Sequence, residues 1–207
     1  MDPQPDMMRS TGAPSVREPA AAGRGLLLAV ARRRFLAEGY AAASMAGIAS
    51  DAGVTKAALY YHFPGKEALF VAVCAAEAER VQAGLQAIAA AGGALADMLV
   101  AVADYAFREA GDGAVRLLDE LGRHVDPAVQ EIEFADRLSP IDVLVRIIAE
   151  RRHEVRNDLD PVLLAETFFA MVMSQMQDTN RRPGSDPIGP DLARRLVDIF
   201  VNGAMAR

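Results

Sequence analysis

Lys56, Tyr60, Tyr61 and His62 fall within seven consecutive residues, and Phe63-Pro64-Gly65 and a second lysine, Lys66, follow at once. These are the only two lysines among the chain's 22 basic residues. An ammonium, two phenols and an imidazole on one short helix offer charge, hydrogen-bond donors and flat rings to a phosphate backbone. The small Ala57 and Ala58 let such a helix come close to base edges, where alanine is a natural partner of thymine methyls. The stretch 54–69, VTKAALYYHFPGKEAL, therefore reads as the DNA-contacting element of a helix-turn-helix. Helical geometry turns Leu59 and Phe63 inward and leaves Lys56, Ala57 and Tyr60 toward solvent, with Tyr61 partly buried and His62 free. His62 and Lys66 would clamp phosphates, Lys66 helped by the dipole of the helix it opens.

The elements that must hold this helix are legible on either side of it. Leu27, Leu28, Ala31 and Phe35 repeat at helical spacing and end at Gly39, which predicts a first helix of about four turns with Arg32 and Arg33 on its polar side. Ser44 can N-cap a second helix over 45–52, Gly53 allows the sharp turn, and Thr55 caps the third, which Pro64-Gly65 stops. Ala49, Gly53 and Leu59 supply the close contact, the turn and the core plug that two tightly joined helices require, with Ile48 and Val54 beside them. A fourth helix runs from Lys66 to about Ala91 and breaks at Gly92-Gly93. Further helices are expected over 95–109, 114–124, 127–137, 140–153, 161–178 and 190–205, with Ser139 and Asp160 as caps and 181–189 as the clearest late loop. No stretch alternates with period two, so no sheet is expected.

Charge is divided along the chain. The net charge is -6, yet residues 24–66 carry an excess of basic side chains while the stretch from Glu67 onward is net acidic, which favours one oriented DNA-facing surface on a repelling body. At 207 residues and 52% hydrophobic, the chain can bury one good core or two small ones. No apolar run approaches the roughly 20 residues of a membrane span, and residues 1–23, rich in proline, read as a disordered arm without a leader's apolar segment. A single cysteine, Cys74, excludes an intrachain disulfide and a multi-thiolate metal site, so a cytoplasmic setting is expected. His124 and His153 lack partners at metal-binding spacing, and neither a catalytic constellation nor a cofactor motif is found.

The segment from Leu27 to Leu69, with FLAEGY, SMAGIASDAGV and TKAALYYHFPGKEAL, closely resembles the DNA-binding domain of TetR-family (TetR/AcrR-type) transcriptional regulators. The resemblance implies an all-α fold: a helix-turn-helix DNA-binding domain over 24–66 and a larger helical ligand-binding and dimerisation domain over 67–207. It implies a homodimer through the last two helices, double-stranded operator DNA as partner, and a small-molecule inducer. Carried over, it makes Thr55, Lys56, Ala57, Tyr60, Tyr61, His62 and Lys66 operator contacts, with Ser44 touching phosphate. Three residues depart from the family's pattern. Ala57 stands where many members have glycine, Gly47 where an acidic residue often completes a capping box, and Arg34 in a place that is usually apolar.

The body offers Tyr105, Arg108, His124 and Gln175 as polar groups that could orient a ligand, with Phe169 and Met173 as apolar wall. Met171, Met173 and Met176 suit an adaptable pocket or a dimer seam equally. These readings point to a ligand-responsive DNA-binding regulator, a repressor released by a small apolar or amphipathic inducer. The alternatives are a constitutive regulator or activator without inducer, and an all-helical carrier or enzyme.

Overall fold

A computed structural model of the protein describes residues 19–111, 113–134, 139–179 and 190–204. Every regular element among them is helical: α1 (Pro19–Ala42), α2 (Met45–Asp51), α3 (Lys56–His62), α4 (Lys66–Ala91), α5 (Leu95–Gly111), α6 (Ala114–His124), α7 (Pro127–Phe134), α8 (Pro140–Glu150), α9 (Pro161–Thr179) and α10 (Pro190–Ala204). A single 3₁₀ turn, Arg152–Glu154, follows α8.

The helix starts and stops obey local chemistry. Ser44 Oγ accepts from Gly47 N at 3.1 Å and Thr55 Oγ1 from Ala58 N at 3.1 Å, each satisfying one orphan donor of a first turn. Ser139 and Asp142 close a reciprocal capping box at the start of α8, whose first residue is Pro140. Asp160 caps α9 through Val162 N. Gly53 at φ 68 makes the turn between α2 and α3, a conformation that costs a side-chain-bearing residue energy.

Some boundaries differ from expectation. α1 opens at Pro19, so residues 19–23 of the expected arm are helical, whereas residues 1–18 lie outside the described residues. Gly39, at φ 80 and ψ 163, breaks α1 as expected, but one more turn carries the chain to Ala42. α8 stops at Glu150, short of His153, because the Arg151 backbone leaves the helical region and the chain tightens into the 3₁₀ turn. The end of the expected α7, over 135–138, and the 181–189 loop lie outside the described residues.

Two apolar cores form, and α4 is shared between them. The first gathers Leu27, Ala31 and Phe35 of α1, Ile48 and Ala49 of α2, Leu59 and Phe63, and Leu69 to Cys74 at the start of α4. Leu117, Leu121 and Val125 complete it, so α6 is wedged into the core of the helix-turn-helix. The second joins the far half of α4 to α5, α8, α9 and α10 around Leu99, Ile147, Ile148 and Phe168. Truncating a fully buried leucine such as Leu59 or Leu99 to alanine costs about 2–5 kcal/mol, a large share of a domain's stability. Both cores are therefore built on α4. No helix among the described residues is long and apolar enough to cross a membrane.

Candidate nucleic-acid interface and ligand cavity

α3 is anchored by one buried residue of its own, Leu59, and by Phe63 just beyond it. Successive residues turn by about 100°, so Tyr61 lies about 200° from Leu59 and points away from the core, whereas His62 lies only about 60° from it. Tyr61 is accordingly 86% exposed and His62 half-buried, the reverse of the expectation for this pair. The two rings meet edge to face at 5.4 Å. Lys56, Ala57, Ala58 and Tyr60 are exposed together with Tyr61. Ser44 and Thr55 are exposed as well, and although their oxygens accept the capping bonds, each hydroxyl keeps its hydrogen to donate.

The basic surface is narrower than the charge count suggests. Arg32, expected on the polar side of α1, turns to Glu77 of α4 and grips it with two hydrogen bonds of 2.9 and 3.1 Å. Arg34 pairs with Glu38 at 3.0 Å and with Asp51 of α2 at 2.6 Å. Its guanidinium lies where a side chain on residue 47 would stand, so two departures from the family's pattern form one contact, Arg34 on Gly47.

Lys66 is engaged too. Its ammonium donates to Tyr40 O at 2.9 Å and Ala41 O at 3.1 Å and sits 4.5 Å from the centre of the Tyr40 ring. These carbonyls end α1 and would otherwise lack helical partners. One of the three ammonium hydrogens is left for a phosphate, so the expected clamp is first a fastener between α1 and α4.

A cavity of about 440 Å³ opens in the body, walled by α4 (Val81, Leu85), α5 (Val102, Tyr105, Ala106, Glu109), α6 (Val115, Leu118, Asp119), Leu144 of α8 and α9 (Phe168, Phe169, Val172, Met173, Met176). This size lies in the range of small-molecule sites. Of the expected ligand residues, Tyr105, Phe169 and Met173 line it. Arg108, His124 and Gln175 do not. Arg108 points outward into solvent, and Gln175 is half-buried away from the lining. His124 stacks on Tyr40 at 5.0 Å, on the seam between α6 and α1, where Tyr40 N also donates to Glu120 at 2.9 Å. Met173 and Met176 face the cavity.

Two buried carboxylates went unread in the sequence. Glu77 is 4% and Glu109 is 8% exposed. Glu77 takes Arg32 from α1 and Arg80 at 2.5 Å, and Arg80 also pairs with Glu109 in the cavity wall. An unbroken line of ions thus runs from the cavity through α4 to α1. Burial pushes the Glu77 carboxyl up, but the two guanidiniums outweigh it and hold it below the usual glutamate range. Tyr105 donates its hydroxyl to Arg80 O at 3.0 Å, lying across Gly84, where any β-carbon would collide with the ring. The overlooked signal was positional: Glu77 interrupts the apolar stripe Phe70, Val73, Cys74, Val81, Leu85 of α4.

A capped helix, a glycine turn and an exposed second helix, set on a helical body with an apolar cavity, define a helix-turn-helix DNA-binding regulator. Residues 27–73 match the sequence profile of the family described as Bacterial regulatory proteins, tetR family. The fold is shared with a bacterial regulatory protein in the tetR family from Rhodococcus RHA1, 23% identical, covering 89% of this chain and 98% of that one with a TM-score of 0.68. It is likewise shared with the transcriptional regulator FadR from Bacillus subtilis, solved in complex with stearoyl-CoA, at 18% identity, 86% and 98% coverage and a TM-score of 0.70. SmeT, the repressor of the Stenotrophomonas maltophilia multidrug efflux pump SmeDEF, is similar at 21% identity, 88% and 90% coverage and a TM-score of 0.67. Residues 27–73 thus carry the DNA-binding domain of the tetR family of bacterial regulatory proteins, and the described helices share the fold of its solved transcriptional regulators.

Proposed function

We propose that the protein is a homodimeric repressor that releases a pseudo-palindromic operator when a small apolar or amphipathic molecule fills the cavity. Residues 24–66 would serve DNA binding and 67–207 ligand binding and self-association. Ser44, Thr55, Lys56, Ala57, Tyr60, Tyr61 and His62 form the operator surface, with Lys66 adding one donor beside it. Dimerisation through α9 and α10 agrees with the apolar side chains these helices expose, Leu163 at 53% and Ile199 at 69%. Two recognition helices about 34–36 Å apart would then enter successive major grooves.

The observation that carries this reading is that α4 does two jobs. Val81 and Leu85 of its second half wall the cavity, and Lys66 at its start and Glu77 near its middle fasten α1. A ligand that prefers one position of α4 therefore biases the α1–α3 unit, by a coupling of typically about 1–3 kcal/mol. Among the similar folds, FadR holds stearoyl-CoA and SmeT is a repressor, which agrees with a filled cavity and a repressing role. Selecting bound fragments from genomic DNA, then titrating candidate ligands against the labelled fragment, tests the proposal. Operator affinity that no cavity-filling ligand lowers would reject ligand-responsive repression.

A further inference from the structure

We infer that the cavity selects an apolar molecule bearing a protonated amine and rejects the equivalent anion. This rests on the ligand-responsive reading above and specifies its ligand. Among the described residues, the polar side chains that line the cavity are Tyr105, Glu109 and Asp119, with no lysine, arginine or histidine beside them. Glu109 lines the cavity and is 8% exposed, and its oxygen paired with Arg80 is sealed, so its charge sits largely out of water, where charge counts most. Tyr105, which also lines the cavity, has already given its hydroxyl hydrogen to Arg80 O, so its hydroxyl oxygen is left as an acceptor. Asp119, at the exposed rim, pairs with Arg123 at 2.5 Å. All three groups therefore accept hydrogen bonds from a ligand.

The balancing cation of Glu109, Arg80, lines a separate groove on α4 with Arg32 and Glu77, outside the cavity. A carboxylate or sulfate head would enter against two carboxylates and meet no cationic side chain among the described lining residues. An ammonium finds Glu109 and Tyr105, with the ring of Phe169 also in the wall, and aromatic faces attract cations. In binding Glu109 it competes with Arg80 and loosens the line that runs on through Glu77 to Arg32 of α1. The same contact that selects the head group thus reaches the DNA-binding unit.

The test uses the full chain and three probes with one tail: decylammonium, decanol and decanoate, titrated by calorimetry. Decylammonium should bind about tenfold or more tighter than decanol, the worth of a charge-assisted hydrogen bond, with decanoate weakest. Glu109→Gln should bring decylammonium level with decanol. The three-probe order on the unaltered protein decides the question even if that variant folds poorly. Decanoate equal to or tighter than decylammonium, or no binding by any of the three, overturns the ligand class and leaves ligand-responsive DNA binding standing. Tight decylammonium binding that leaves operator affinity untouched rejects responsiveness and not the ligand class.

Discussion

The guanidinium of Arg34 occupies the space in which a side chain on residue 47 would stand, and Gly47 is what admits it. Alanine at a helical position is better than glycine by about 1 kcal/mol, but here it must push the guanidinium from Asp51. Gly47→Ala should therefore stabilise the protein by about 1 kcal/mol only in an Arg34→Ala background, and by clearly less in the parent. Denaturant unfolding of the four proteins checks this. Strictly additive effects would show that the two residues do not share space.

Lys56 and Tyr60 are exposed and carry no part of the core, so Lys56→Ala with Tyr60→Ala should leave thermal unfolding unchanged and abolish specific operator binding. Lys56→Ala alone should reduce the slope of log affinity against log salt by about one, one phosphate contact's worth. Fluorescence anisotropy across a salt series reads both.

Lys66 should behave differently. Lys66→Met removes two charge-assisted bonds to the end of α1 and should cost about 1–2 kcal/mol of stability as well as operator affinity. Parallel denaturation and binding curves separate it from Lys56→Ala. A variant that binds weakly yet unfolds like the parent would mean that Lys66 acts on DNA alone.

Glu77 holds α1 to α4 only while ionised. Because its folded-state pKa is lowered, its contribution is fully present above the ordinary value of 4.5 and is lost as pH falls through the lowered one. Glu77→Gln should cost about 3 kcal/mol near neutrality, the low end for breaking a buried pair, since Arg32 and Arg80 are partly solvated. It should also flatten the fall in stability below pH 4.5. Urea midpoints from pH 3 to 7, about the span over which a glutamate titrates, provide the measurement.

Gly84 gives Tyr105 its place. Gly84→Ala should drive the ring off Arg80 O and into the cavity, at a cost of about 1–3 kcal/mol and with weaker ligand binding, while operator affinity without ligand stays near the parent's. Calorimetry with a cavity-binding probe reads the loss. Unchanged binding would show that Tyr105 does not bound the ligand's space.

How much of this the sequence disclosed depends on whether the cause was local. The caps at Ser44, Thr55 and Ser139, the turn at Gly53 and the stop at Gly92 act within a few residues, and each is where spacing placed it. Side-chain character suggests burial for Tyr61 and exposure for His62, but the angle of each from Leu59 on α3 reverses the two. The partners of Arg32 and Lys66 lie 45 and 26 residues away, and no periodicity announces them. A charge count treats every arginine as free; the fold consumed Arg32 and Arg34 internally. For the cavity, aromatic and methionine content points to Phe169 and Met173, whereas the polarity of Arg108, His124 and Gln175 does not say which way a helix faces.

Cys74 is fully buried, donates to Leu117 O at 3.8 Å, and burial raises its thiol to about 12, so it stays protonated and shielded near neutrality. The native chain is therefore expected to resist maleimides, so that a cysteine introduced at the outward-facing Tyr61 position takes up a spin label or dye alone. Distance spectroscopy could then follow the gap between the reading heads of the proposed dimer in solution without first stripping out the natural sulfhydryl.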